Sequence, residues 1–179
     1  IYFPDTITKI EWSAFNSCTN LKKVRLSQNL TEIRGQAFAY CTSLKSVEIP
    51  SGVTNIQDFA FMMCTSLEEV IIPSSVTTIA SFENSKKLRK ITIPDSVTLI
   101  GSETFKGCES LDNVIIPNSV TSISGSTFED CTSLTEITIP SSVDSIGRNA
   151  FTNSNLKNIK YEGNINLCVN NIKMFENNQ

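Results

Sequence analysis

A chain of 179 residues that is 40% hydrophobic and 18% charged has enough apolar content for a packed core and is not a disordered polymer. Its formal net charge of −3 and pI near 5.0 exclude the basic face that nucleic acid or an anionic membrane calls for. No run of 18 apolar residues is present that would cross a bilayer as a helix.

The first element is Ile1-Tyr2-Phe3, an alternating run stopped by Pro4. It opens in the middle of a pattern that returns along the chain, so the sequence reads as part of a longer array. Ile10, Phe15, Cys18 and Leu21 follow, and then the next alternating run, Val24-Arg25-Leu26. From here everything repeats. Leucine recurs as Leu21, Leu44, Leu67, Leu88, Leu111, Leu134 and Leu156, at spacings of 23, 23, 21, 23, 23 and 22. A phenylalanine column keeps the same rhythm from Phe15 to Phe151, an isoleucine column runs from Ile10 to Ile146, and a proline column runs from Pro4 to Pro140 with Ser27 in one slot. A period of this size marks a solenoid, in which each coil buries its apolar side against its neighbours.

Within a unit, segments such as Val47-Glu48-Ile49, Val70-Ile71-Ile72 and Ile137-Thr138-Ile139 alternate and are β-branched, which predicts a strand. One strand per coil, always in the same direction, predicts one parallel sheet of eight strands from Ile1–Phe3 to Ile159–Tyr161. Proline ends each strand, and the S-V-T-x-I segment crosses back with its Val and Ile inward. Ala-Phe is expected on a short helical or 3-10 turn that drops the ring into the core, and C-x-x-L returns to the next strand. Only Ala80 and Ser81 separate Ile79 from Phe82, where the other units have four residues, which puts one irregular coil at 79–85. After Tyr161 the pattern decays. The expected division is a solenoid over 1–161 and, over 162–179, a degenerate last coil and C-terminal cap with Ile165 and Cys168 in inward columns.

The six cysteines invite a chemical reading. Cys18, Cys41, Cys64, Cys108 and Cys131 share one column, three residues before the leucine, and Ser85 and Asn153 or Ser154 fill the remaining slots. A column that takes Cys, Ser or Asn wants a small side chain that bonds a neighbouring backbone group. Zinc needs close ligand pairs and usually histidine, and there is no histidine and no close cysteine pair. A nucleophilic cysteine would lack its base. Parallel stacking also holds Cβ atoms farther apart than the roughly 3.8 Å that a disulfide prefers, so free thiols are expected. No phosphate loop, dinucleotide fingerprint, nucleophile elbow or paired carboxylates appear, and neither an enzyme nor a cofactor is expected. Trp12 stands outside every inward column. It reads as an exposed aromatic or as packing against a preceding coil.

The units CTSLKSVEIPSGVTNIQDFAF and CTSLTEITIPSSVDSIGRNAF resemble the BspA-like class of leucine-rich repeats, and the resemblance runs from Ile1 to about Tyr161. It implies a strand-dominated α/β repeat solenoid, a right-handed horseshoe with its strands on the concave side. It also implies a protein-binding module of a cell-surface or extracellular adhesin, with a host or matrix protein as the ligand. An intracellular interaction scaffold is the alternative. On the concave side the outward strand residues would include Arg25, Glu48, Ile71, Thr92, Ile115 and Thr138, with Glu69, Lys90 and Glu136 two residues earlier in their strands. Ile71 and Ile115 are apolar in outward slots, as at a protein interface, although β-propensity alone would also place them there. Asn29-Leu30-Thr31 is a glycosylation sequon in a eukaryotic secretory setting.

Overall fold

A computed structural model of the chain describes residues 1–163; Ile165, Cys168 and the rest of the expected cap lie outside the described residues. The repeat folds as a strand-dominated parallel β-solenoid of about seven turns, one per leucine of the column. Its main sheet has six strands, Ser46–Glu48, Glu69–Ile71, Lys90–Thr92, Asn113–Ile115, Glu136–Ile139 and Asn158–Tyr161. The register follows the repeat, with Val47 beside Val70, Val70 beside Ile91 and Ile91 beside Val114. Toward the N-terminus the expected pairing shrinks to a single bridge between Tyr2 and Arg25, so the sheet is shorter than the sequence suggests.

Proline closes the first five strands of this sheet, and its carbonyl accepts an amide three residues on. Val53 N–H donates to Pro50 O at 3.0 Å, and Val76, Val97, Val120 and Val143 do the same to their prolines at 3.0–3.1 Å. The return segment then holds a structure that the sequence reading left out. Lys9–Ile10, Glu32–Ile33, Asn55–Ile56, Thr78–Ile79 and Leu99–Ile100 form a second parallel ladder, continued by Ser122–Ile123 with Ser145–Ile146. The expectation of one parallel sheet is therefore corrected to strands on two sides of the coil. Where the ladder is interrupted, the Ser124 hydroxyl donates to Ile100 O at 2.6 Å.

The expected helical or 3-10 turn is also overturned, since no helix occurs among the described residues. Around each phenylalanine the chain makes a ribbon of turns in which alternate amides point in different directions. Ala14, Asn16 and Cys18 N–H donate within their coil to Glu11, Ser13 and Phe15 O, whereas Ser13, Phe15 and Ser17 N–H donate to Gly35, Ala37 and Ala39 O of the next coil. A helix would keep all these bonds inside one segment and leave the coil junction unbonded. The ribbon instead needs two left-handed residues per coil. They are Ser13 and Ser17, Gln36 and Tyr40, Phe59 and Met63, with φ between 55° and 61°, and the later coils repeat them. The short coil has one, Asn84, because the deletion removes the other. There the buried Ser81 hydroxyl donates to Ile56 O and Gln57 O at 3.2 and 2.9 Å and closes the gap.

The core is a column of stacked rings. From Phe15 to Phe151, successive centroids lie 5.3–6.0 Å apart with ring planes within 15° of parallel, and Phe3 caps Phe15 edge-on at 5.2 Å. Leu, Val and Ile columns surround this spine and are almost fully buried. The coils also touch directly through backbone. A Cβ on Gly147 would lie 2.4 Å from Gly125 N and 2.7 Å from Ser124 C. Since backbone cannot move aside without parting the coils, Gly147→Ala is expected to destabilise the fold by about 1–3 kcal/mol in denaturant titrations. Unchanged stability would show that the junction has slack.

Candidate protein-binding face

The four buried members of the cysteine column hold coils together. The thiols of Cys41, Cys64, Cys108 and Cys131 donate to the carbonyls of Phe15, Phe38, Phe82 and Phe105, one coil back, at 3.1–3.2 Å. Ser85 does the same to Phe61 O at 3.1 Å, which explains why serine can stand in the slot. Ser154 bonds its own coil's Phe151 O instead. Burial pushes the Cys41 thiol up to about 11 and those of Cys64, Cys108 and Cys131 higher still, so these sulfurs stay protonated and unreactive.

Trp12 is 59% exposed and lies over Gly35 of the following coil, with its ring where a Gly35 Cβ would be. Neither sequence alternative described this contact. A glycine one repeat after a tryptophan was the available signal. Asn29 is exposed, and its side-chain amide donates to Asp5 O at 2.8 Å, a bond that glycosylation would have to release.

The outward residues of the main sheet fall into two ladders. In the first, Glu48 lies beside Ile71, Ile71 beside Thr92, Thr92 beside Ile115 and Ile115 beside Thr138, while Arg25 bridges to Tyr2. In the second, Ser46 lies beside Glu69, Glu69 beside Lys90 and Lys90 beside Asn113; Glu136 pairs with Asn158 in the last coil. The structure thus brings all nine candidate residues to one exposed face. Ile115 is 73% and Ile71 56% exposed, while Val70 and Val114 beside them are buried. A shallow groove at one end is lined by Tyr2, Lys23, Arg25, Glu48, Glu69 and Ile71, and a second at the other end by Ile115, Glu136, Thr138 and Lys160.

Several charges away from this face are paired within the chain. On the return-segment strands, Lys9 and Glu32 are 3.0 Å apart, and Arg34 reaches Glu11 at 2.8 Å and Glu32 at 3.1 Å. Hydrogen bonds from Lys9 and Arg34 hold the Glu32 carboxyl below its ordinary pKa. On the turn side Lys106 lies 3.4 Å from Glu129 and 4.0 Å from Glu103. On the main face the charges of Arg25, Glu48, Glu69, Lys90 and Glu136 form no ion pair among the described residues, although opposite charges stand on adjacent coils. Clusters of three or more metal-ligating side chains do not occur among the described residues, and no helix there is long and apolar enough to cross a membrane.

A parallel solenoid with one outward-reading strand per coil, a leucine and a phenylalanine at each repeat and a proline at most of them defines a leucine-rich repeat protein. Comparison with known proteins narrows this: the BspA-type leucine-rich repeat region, in six copies, matches residues 1–82 and 80–179. The chain belongs to the BspA-type leucine-rich repeat family. None of the curated proteins compared with it matches. Among solved structures it is similar to a leucine-rich repeat protein of T. pallidum, with 29% identity and a TM-score of 0.78 over 86% of this chain and 75% of that one. It is also similar to a leucine-rich repeat protein of Eubacterium ventriosum, with 25% identity and a TM-score of 0.77 over 86% of this chain and 42% of that one. A leucine-rich cell surface protein of Faecalibacterium prausnitzii aligns at 29% identity with a TM-score of 0.54, over 89% of this chain and 59% of that one. The chain thus spans three quarters of the first relative and about half of the other two. Repeats of this kind are non-enzymatic scaffolds that serve protein interaction.

Proposed function

We propose that this chain is the ligand-binding module of a cell-surface adhesion or host-interaction protein, and that it grips a protein ligand through its main-sheet face. The observation that carries the reading is the pair of isoleucines exposed in outward slots, Ile71 and Ile115, set in register with Thr92 and Thr138 among charges that have no partner of their own. Apolar side chains ringed by polar ones are what a protein interface offers, and such an array buries area without taking a charge out of a pre-existing pair. The F. prausnitzii relative, described as a cell surface protein, supports the setting. The ligand expected is a host or extracellular-matrix protein.

The test is a double substitution. Ile71→Glu with Ile115→Glu is expected to leave the circular dichroism spectrum and unfolding midpoint unchanged, because both side chains already face water. Binding to host-cell or matrix protein should weaken by roughly tenfold or more. Undiminished binding would move the ligand site off this face. Surface labelling of intact source cells with a membrane-impermeant reagent tests the location, and labelling only after lysis would favour an internal scaffold.

A further inference from the structure

The charges along the edge where each coil enters the main sheet are arranged with opposite signs about one point. The residue just after each repeat leucine runs Lys22, Lys45, Glu68, Arg89, Asp112 and Thr135 over the first six coils. The next residue in each coil runs Lys23, Ser46, Glu69, Lys90, Asn113 and Glu136. All are exposed, and none forms an ion pair among the described residues, whereas Lys9, Arg34, Lys86 and Lys106 elsewhere on the surface are paired within the chain. Reversing the coil order about a point between coils three and four sets Lys45 against Asp112 and Glu68 against Arg89. In the neighbouring column it sets Lys23 against Glu136 and Glu69 against Lys90. Every remaining partner is neutral.

We propose that this edge is a self-complementary docking surface for a second copy of the chain, related by a two-fold axis that reverses the stack and keeps the columns aligned. A two-fold interface requires residue i to meet j and j to meet i, and reversal of the coil order is the operation that a two-fold axis across a solenoid performs. The register is selective. A shift by one coil sets Arg89 and Lys90 of one copy against the same residues of the other. A shift the opposite way sets Glu68 and Glu69 against themselves, and Lys45 against Arg89. Like charges in those positions oppose binding, so the array both attracts the partner and fixes its alignment. The inference rests on the reading of the main face as protein-binding and names one partner for its edge.

Two charge reversals test it in the 179-residue chain. Glu68→Lys with Glu69→Lys makes coils three and four both basic, and Arg89→Glu with Lys90→Glu makes them both acidic. Sedimentation is expected to show wild-type dimers at about 0.01 M salt, where charges act over roughly 30 Å, and their dissociation near 1 M, where the reach is about 3 Å. Each variant alone should dissociate at least about tenfold more readily. Mixed in equal amounts the two variants should pair, because every contact between coils three and four is then opposite in sign. Recovery on mixing also shows that both variants are folded. A wild-type chain that stays monomeric at low salt, or variants that dimerise alone as well as wild type, would overturn the proposal. Either result leaves the isoleucine test of ligand binding intact, so the two readings fail separately.

Discussion

Phe105→Ala is expected to destabilise the chain by about 3–5 kcal/mol, measured by denaturant unfolding. The ring is fully buried and stacks on Phe82 at 6.0 Å and on Phe128 at 5.5 Å. Truncation removes the apolar surface of the ring and leaves a void that two coil junctions share. The backbone cannot collapse into it, because Phe105 N–H is bonded to Thr127 O at 3.0 Å and Phe105 O receives the Cys131 thiol at 3.1 Å. In a nearest-neighbour stack both weakened junctions count, so a central ring is worth more than one at an end. Phe15→Ala, at a ring that is partly exposed, should therefore cost visibly less. A loss under about 1 kcal/mol at Phe105 would mean that the spine does not carry the fold.

Alkaline pH should unfold the chain through its cysteines. Burial raises the pKa of Cys41 to about 11 and those of Cys64, Cys108 and Cys131 further, from an ordinary 9.0. Above pH 9 the unfolded chain gives up these protons while the folded chain keeps them, so the unfolded state binds fewer protons and stability falls as pH rises. The contribution is complete below pH 9 and lost on the way up to each folded pKa. Each thiol then removes roughly 1 kcal/mol by pH 10, and the four together several kcal/mol, a large share of what a domain possesses. Replacing all four by serine, the residue already present in this column as Ser85, should flatten the profile between pH 9 and 10. An equally steep profile in that variant would place the alkaline sensitivity elsewhere.

Much of this architecture was legible because a solenoid writes its contacts at one spacing. The phenylalanine, leucine and cysteine columns each mark a line of contacts between coils, and the outward ladder from Glu48 to Thr138 follows from the same register. The elements that escaped lack such a signal. A strand of two residues, such as Asn55–Ile56, is too short to alternate, and its pairing is imposed by stacking. The left-handed turn positions escaped for a related reason. Asn84, Gly107 and Asn149 suit positive φ, but Gln36, Phe59 and Glu103 do not advertise it, and the inter-coil amide bonds hold them there. The charges on the edge were visible one by one. Their lack of partners within the chain was not, since that depends on which side chains reach one another.

The short coil bears on how such a molecule changes over generations. Two residues are missing from it, yet the rings on either side stay 5.7 and 6.0 Å from Phe82, and Ser85 makes the junction bond that a cysteine makes elsewhere. Units of 21 and 23 residues are thus interchangeable at their seams. A gene that duplicates, drops or trades a whole unit joins two familiar seams and need not solve the folding problem again. The charges of Arg25, Glu48, Glu69, Lys90 and Glu136 on the main-sheet face form no ion pair across the seam and can change independently of it. Recombination can therefore rewrite what the surface recognises while the frame beneath it stays the same.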